Sequence, residues 1–446
     1  MSNARSPTVA LYTLGCRLNQ YETEAIREQF QARGYRVVPF GERADVYVVN
    51  TCTVTGQADY QSRQTLRRAI RRAPDATVVA TGCYAQTNPQ ALLRIEGVDL
   101  VLGNAEKGRL VEYVTEATSA SRPAVHVTPR AALTQFDDRL DVHEFEGRTR
   151  ASLKIQDGCD QFCTFCIIPW ARGRYRSRPL EQLVGQTERL LVAGYHEIVL
   201  TGVHLGAYGI DLIPPRSLIE AVRALLRLPD LPRLRLSSIW PTAVSDEMIQ
   251  LMADTAPRFC RYVHLALQSG DDDILRRMRR TYTADDARRV VERLAETIPD
   301  VGMGADVMVG FPGETDRQFL NTYRMLETLP ISYLHVFSYS KREGTKAASF
   351  PDQVPVTVAQ ERNAQLRQLS AAQSLAFHRR FIGRRVDALV EERRDPATGQ
   401  LVGLTDHFVR VRLPGDDRLM NTIVTVRVDR ADEEGVQGAS VPAESG

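Results

Sequence analysis

Cys159, Cys163 and Cys166 form a C-x3-C-x2-C run in QDGCDQFCTFCIIPW. Three thiolates on one short loop can hold three corners of an iron–sulfur cubane. The fourth iron is then open to a small molecule, as a catalytic metal site requires. A zinc site lacking its fourth ligand and three buried thiols are the alternatives; a zinc ribbon would need a second C-x2-C, which the sequence lacks. Cys16, Cys52 and Cys83 lie 36 and 31 positions apart, a spacing that is no motif. Each, however, directly follows a candidate strand, in VALYTLGC, VYVVNTC and TVVATGC. In a parallel α/β sheet, residues just past the strand ends converge on the crevice where ligands bind, so these three make a second candidate thiolate site. Buried packing thiols are the alternative there. Cys260, in APRFCRY, has no partner in either set and is expected to pack.

The elements that must position these residues alternate strand with helix. Candidate strands cover 8–14, 35–40, 45–50, 77–81 and 98–102, with helices over about 19–33 and 57–72 and a short one near Pro89. This pattern predicts an N-terminal doubly wound α/β domain over 8–118. Residues 119–148 are polar and broken by Pro123 and Pro129, and read as a linker with a little strand. A second alternation fills 149–374, with strands over 152–156, 197–201, 234–239, 262–267, 305–309 and 333–337. Six βα units without a dinucleotide fingerprint predict a (β/α) barrel or partial barrel, and eight strands also fit. Its chemistry is expected on loops at the strand C-terminal ends, where the first cysteine run lies. After a helix ending near Phe381, four short alternating strands predict a small all-β barrel within 375–440.

Composition narrows the classes. The 446 residues carry 57 Lys+Arg against 55 Asp+Glu, a net charge of +2, so any nucleic-acid face must be local. Hydrophobic content of 43% and charged content of 25% exclude a disordered or collagen-like chain. No stretch is apolar enough for a membrane span and no signal peptide is evident, so a cytoplasmic protein without membrane contact is expected. Seven cysteines are too few for a disulfide scaffold and point to metal or redox chemistry.

Three basic patches stand out. Arg172, Arg174, Arg176 and Arg178 alternate beyond the cysteine run; in an extended segment they would aim along one side, toward phosphates. Arg63, Arg67 and Arg71 form an i, i+4 stripe on the 57–72 helix, with Arg68 and Arg72 beside it. Residues 378–430 hold eleven arginines and eight acids, with His407 and Phe408 beside a strand, a pairing suited to phosphates and to stacking an unpaired base. A solvated charged face is the plain alternative for each.

CDQFCTFC resembles the signature of the radical S-adenosylmethionine (SAM) enzymes. LGCRLNQYETEAI, NTCTVT and ATGCYAQ, with QSG at 268–270 and DVMVGFPGET at 306–315, narrow the resemblance to the radical SAM methylthiotransferases. The tail looks like their TRAM module, a small RNA-binding barrel, so the likeness covers nearly the whole chain. LGCRLNQYETEAI and LKIQDGCDQFCTFCIIPWARG most resemble the branch that acts on N6-threonylcarbamoyladenosine in tRNA. The branches acting on isopentenyladenosine and on a ribosomal-protein aspartate usually differ after Gly15.

The resemblance implies that Cys159, Cys163 and Cys166 hold a [4Fe-4S] cluster whose open iron chelates SAM, and that its reduction cleaves SAM to a 5′-deoxyadenosyl radical. Cys16, Cys52 and Cys83 would hold an auxiliary [4Fe-4S] cluster carrying the sulfur, and a second SAM would supply the methyl group. Thr201, Gly202, Ser237, Ser238, Gln268 and Asp306 lie at or near strand ends and are candidate SAM contacts, with barrel packing as the alternative. The expected product is a 2-methylthio group on the adenine at tRNA position 37, next to the anticodon. The implied partners are tRNA and an electron donor, a reductase or flavodoxin-like protein; the sulfur donor is left open and a monomer is the default. Rival readings are the same chemistry on isopentenyladenosine or a protein aspartate, and a non-catalytic iron–sulfur RNA-binding protein.

Overall fold

A computed structural model of the chain describes residues 6–116 and 123–442. Residues 117–122, where the expected linker opens, lie outside the described residues.

The N-terminal sheet has six parallel strands: β1 (Thr8–Thr13), β2 (Arg36–Val37), β3 (Val46–Thr51), β4 (Thr77–Gly82), β5 (Leu100–Leu102) and β6 (Ala124–His126). Their order is β2-β1-β3-β4-β5-β6, so the chain reverses direction across the sheet between β1 and β3. Side chains alternate between the two faces, and both faces are apolar. Val9, Val48 and Val79 pack toward Tyr21, Ile26 and Phe30 of the helix Arg17–Ala32, whereas Tyr47, Val49 and Ala80 pack toward Leu66 and Ala69 of the helix Gly56–Arg72. The expected strand over 35–40 shrinks to two residues at the sheet edge.

The central part is an open barrel of two four-stranded sheets. One has the order β10-β9-β7-β8, built from β7 (Ala151–Asp157), β8 (Arg176–Ser177), β9 (Glu197–Gly202) and β10 (Arg233–Leu236). The other runs β11-β12-β13-β14, from β11 (Ser238–Ile239), β12 (Tyr262–Gln268), β13 (Gly302–Val309) and β14 (Tyr333–Ser338). The single expected strand over 234–239 is thus two short ones that pair into different sheets and turn the corner of the wall. Among the described residues no pairing closes β14 onto β8, which settles six βα positions rather than eight.

Alternation then sorts the wall into an outer and a lumenal set. Leu153, Ile155, Ile198, Leu200, Leu234, Val263, Leu265, Ala305 and Val307 join the main apolar core beneath the helices. The residues between them, including Ser152, Lys154, Gln156, Val199, Arg235, Tyr262, His264, Asp306 and His335, face the lumen.

Each open edge is dressed with side chains. Along β14, the helix Val356–Arg379 sends Ser370 to the backbone of Leu334 (the amide donating at 2.8 Å), Asn363 to the Val336 carbonyl at 3.2 Å and Ser374 to the Ser332 carbonyl at 3.1 Å. At the other edge, the Ser177 amide donates to Asp211 at 2.8 Å.

The tail is a closed barrel, β15 (Arg385–Arg394), β16 (Leu401–Thr405), β17 (Arg410–Leu413), β18 (Ile423–Asp432) and β19 (Gly435–Ser440), in the cyclic order β15-β16-β17-β19-β18. Five strands replace the four read from sequence. This barrel docks against the starts of the central strands: Arg233 donates to the carbonyls of Leu404 and Asp387, and Arg235 to those of Thr405 and Asp406. Phe408 stacks on Tyr262 at 4.3 Å between ring centroids. A Cβ at Gly302, the first residue of β13, would run into the His407 carbonyl oxygen. Gly302→Ala is therefore expected to lower the thermal midpoint by several degrees and to expose the 380–384 connection to protease. Gly41→Ala, with nothing within 4 Å, should do neither. Equal midpoints for the two variants would contradict this docking.

Candidate active site

The loop carrying Cys159, Cys163 and Cys166 leaves the C-terminal end of β7 and is clamped along its length. The Cys159 amide donates to the Gly173 carbonyl at 2.9 Å, Thr164 donates through its amide and its hydroxyl to the carbonyls of Met278 and Arg277, and the Ala347 amide donates to the Thr164 carbonyl. Burial pushes the Cys159 thiol up to about 11 and the Cys166 thiol up to about 12, with the neighbouring thiols adding to it. Metal binding at this loop must therefore displace protons.

The N-terminal trio is assembled by the sheet. Cys16 caps the helix Arg17–Ala32 just after β1, Cys52 follows β3 and Cys83 follows β4, so all three stand at the C-terminal edge of adjacent strands, around the point where strand order reverses. Gly15 makes the close approach possible: it holds φ +93°, and a Cβ there would fall 2.7 Å from the Cys52 sulfur. Asn19 fastens the turn by donating to the carbonyls of Leu14 at 2.8 Å and Thr51 at 3.1 Å. Burial raises the Cys52 thiol to about 11 and raises Cys83 as well, while Arg172 and Lys107 pull Cys83 the other way.

The donor chemistry of both trios suits an iron–sulfur cluster, since each offers soft sulfur alone. Among the described residues, His264, Asp306 and His335 form the one group whose three candidate ligand atoms all lie within 4.8 Å of one another.

A buried charge cage locks the two trios' supports together. Glu22, on the helix after Cys16, accepts from Lys154 at 2.8 Å and Arg172 at 2.7 Å, and also pairs with Lys107. Asp157 pairs with Lys154 at 2.6 Å, Arg172 at 3.1 Å and Arg176 at 3.2 Å. Arg172 ends the short helix after the cysteine run and donates to Asn19 at 2.7 Å, so it ties one cysteine loop to the other. Burial disfavours the charge on Glu22, but Arg172, Lys107 and Lys154 outweigh it and hold the carboxyl well below its usual range.

This cage corrects the first basic patch. Arg172, Arg176 and Arg178 are buried, not aligned toward phosphates; Arg178 pairs with Asp141 at 2.7 Å and donates to Tyr21, and only Arg174 of the four is exposed. On the helix Gly56–Arg72, Arg63 turns back to the Tyr84 hydroxyl at 2.8 Å, whereas Arg67 and Arg71 are exposed with Arg68 and Arg72. The tail pair is also corrected. His407 is buried and Phe408 lies against Tyr262, so neither offers a face to a base.

Of the candidate SAM contacts, Ser238 and Asp306 meet directly, at 3.3 Å. His264 bonds Asp306 at 2.8 Å and Tyr333 at 2.9 Å, and His335 stands 3.4 Å from Asp306. Burial would raise the Asp306 carboxyl, but His264 and His335 hold it below its usual range. Thr201 and Gly202 end β9 beside Gln156, Ser237 links β10 to β11, and Gln268 ends β12 at φ +70°; among the described residues no hydrogen bond joins their side chains to the Asp306 group.

Sequence reasoning missed several residues here. Arg280 stacks on Trp240 at 4.3 Å and bears electrostatically on Cys159 and Cys166. His204 is pushed down to about 4 by burial and has neither ring nitrogen bonded. Glu22 was hidden in an ordinary amphipathic helix; its only signal is a carboxylate on that helix's buried face.

Comparison with known proteins agrees with this arrangement. Residues 8–103 match the family described as Uncharacterized protein family UPF0004, and residues 153–326 match the Radical SAM superfamily. The chain is 41% identical over 426 residues to the threonylcarbamoyladenosine tRNA methylthiotransferase MtaB of Bacillus subtilis, covering 95% of this chain and 94% of that protein. It is 36% identical to the MtaB of Thermotoga maritima, covering 96% of each, and 33% identical to the ribosomal protein uS12 methylthiotransferase RimO of Trichlorobacter lovleyi, covering 88% and 87%. The solved radical SAM methyltransferase TsrM of Kitasatospora setae shares the fold at a TM-score of 0.56 and 20% identity, over 74% of this chain and 73% of that one. No helix among the described residues is long and apolar enough to cross a membrane. With both domain matches, full-length relatives and two thiol trios at strand ends, the chain belongs to the radical SAM methylthiotransferase family, in its MtaB-like branch.

Proposed function

We propose that this enzyme converts N6-threonylcarbamoyladenosine at position 37 of tRNA to its 2-methylthio derivative. The observation that carries the reading is the pair of cysteine trios at strand ends, tied to one another through Arg172 and Glu22. Cys159, Cys163 and Cys166 would hold the radical SAM cluster and Cys16, Cys52 and Cys83 an auxiliary [4Fe-4S] cluster. When bound, this pair supplies reductive cleavage of SAM and a carrier for the sulfur. The chain's own part is placement. The clamped loop fixes one trio, the Gly15 turn and Asn19 fix the other, and the small barrel braces the starts of the central strands. Ser238 and Asp306, with Thr201, Gly202, Ser237 and Gln268 on neighbouring strand ends, would orient SAM. Arg67, Arg71 and Arg174, exposed and outside the cage, would meet the RNA backbone. An external reductase or flavodoxin-like protein would supply electrons, and the enzyme would work as a cytoplasmic monomer.

The test uses anaerobically reconstituted protein, SAM, reductant and sulfide with tRNA lacking methylthio groups, followed by nucleoside mass spectrometry. The expected result is a nucleoside heavier than threonylcarbamoyladenosine by one methylthio substitution. Methylthio-isopentenyladenosine alone would keep the chemistry and overturn the substrate. Deoxyadenosine release with no modified nucleoside would point to a protein substrate instead.

A further inference from the structure

The charges of the buried cage do not cancel. Lys107, Lys154, Arg172 and Arg176 share the two carboxylates of Glu22 and Asp157, and none of the six side chains is more than 7% exposed. Two positive charges are left over where water does not screen them. The guanidinium groups cannot shed theirs. Burial works against the Lys107 ammonium, and Glu22, in contact with it, works for it. Neighbouring acids are spent on cations of their own. Asp141 answers Arg178 at 2.7 Å and Arg189 at 2.9 Å, Asp137 answers Arg139 at 2.7 Å, and Asp59 answers Arg342 at 2.7 Å. Glu106, whose carboxylate accepts from the Thr128 amide at 2.9 Å, would still leave one positive charge if it were counted in.

The excess lies against the N-terminal trio. Cys83 opens the helix Cys83–Thr87, which packs on the helix Ile168–Arg172. Arg172 donates to Asn19, and Asn19 holds the carbonyls of Leu14 and Thr51, just before Cys16 and Cys52. Arg172 accordingly bears on both Cys52 and Cys83, and Lys107 bears on Cys83. The cation that bears on Cys159 and Cys166 is instead Arg280, which is no member of the cage.

We propose that the cage is the counter-charge of the N-terminal cluster, with Lys107 as a positioning residue that raises the cluster's reduction potential. The proposal rests on the reading above that Cys16, Cys52 and Cys83 hold an auxiliary [4Fe-4S] cluster. Three thiolates bring three negative charges into this place, and each added electron brings one more. The potential of such a cluster follows the net charge around it and its exposure to solvent. A buried positive excess on one side therefore favours the reduced form. An anionic sulfur carried there would meet the same excess.

The experiment uses the full chain carrying Cys159→Ala, so that only the N-terminal cluster is loaded, reconstituted without oxygen. Iron is counted, and a reductive titration followed by electron paramagnetic resonance gives the midpoint potential. Adding Lys107→Met removes one cation at similar volume and leaves Glu22 paired with Lys154 and Arg172. It should make reduction about tenfold harder, a downward shift of about 59 mV for one electron, with iron unchanged at about four atoms per chain. Adding Glu22→Gln instead enlarges the positive excess and should shift the midpoint upward. The opposite signs are the test, because loosened structure would not move the two variants in opposite directions. A Lys107→Met midpoint equal to that of its parent would overturn the assignment. So would iron lost from Lys107→Met, or a downward shift in both variants, since Lys107 would then serve only the fold. A Cys159→Ala parent that binds no iron would overturn the auxiliary-cluster reading itself, and this assignment with it.

Discussion

Glu22→Gln is expected to cost about 3–5 kcal/mol of stability, because it strips the shared carboxylate from Lys107, Lys154 and Arg172 and leaves three buried cations facing an amide. The direction with pH follows from the depressed carboxyl of Glu22. A group whose pKa falls on folding stabilises the native state fully above its unfolded value, about 4.5, and the contribution is lost as pH falls through the lower folded value. The gap between wild type and variant should thus be full at pH 7 and close progressively in acid. Denaturant unfolding of the two proteins from pH 7 down to pH 3 measures it. An unchanged gap at pH 3 would mean that Glu22 does not act as the ionised anchor of the cage.

The second large effect separates the two trios. Cys52→Ala should reduce iron from about eight to about four atoms per chain, keep the cleavage of SAM to deoxyadenosine, and abolish methylthiolation. Cys159→Ala should abolish both, since no product can form without SAM cleavage. Cys260→Ala, a buried thiol in neither trio, should change neither readout and cost about 1 kcal/mol of packing. Methylthiolated product from Cys52→Ala at the wild-type rate would remove the N-terminal trio from the reaction.

How much of this was legible in the sequence depended on whether the signal was local. Cys16, Cys52 and Cys83 each sit directly after a run of residues with strand periodicity, and Cys159, Cys163 and Cys166 share the one loop that follows another such run, so their placement could be read before any coordinate was known. The arginines after the cysteine run could not. Their alternation is the same whether they face phosphates or carboxylates, and the carboxylates that claim them are Glu22, 150 positions from Arg172, and Asp141, 37 positions from Arg178. Phe408 was misread for the same reason, since its partner Tyr262 comes from the other side of a domain junction, and His407 is buried against Phe381 at the foot of the tail barrel. The last strand, GVQGAS, went unseen because it is short and has two glycines; it becomes a strand only because β17 and β18 lie on either side of it.

The dressing of the barrel's two edges bears on how the enzyme behaves in a crowded solution. A sheet left open to admit a large substrate also leaves strand edges, and a bare edge is a template for a neighbour's strand. Here the serines and asparagine of one long helix occupy the backbone groups of β14, and Asp211 occupies the amide of a two-residue strand at the far side. The lumen can therefore stay open while neither edge invites strand addition, which protects the protein from the edge-to-edge aggregation to which an unfinished barrel is prone.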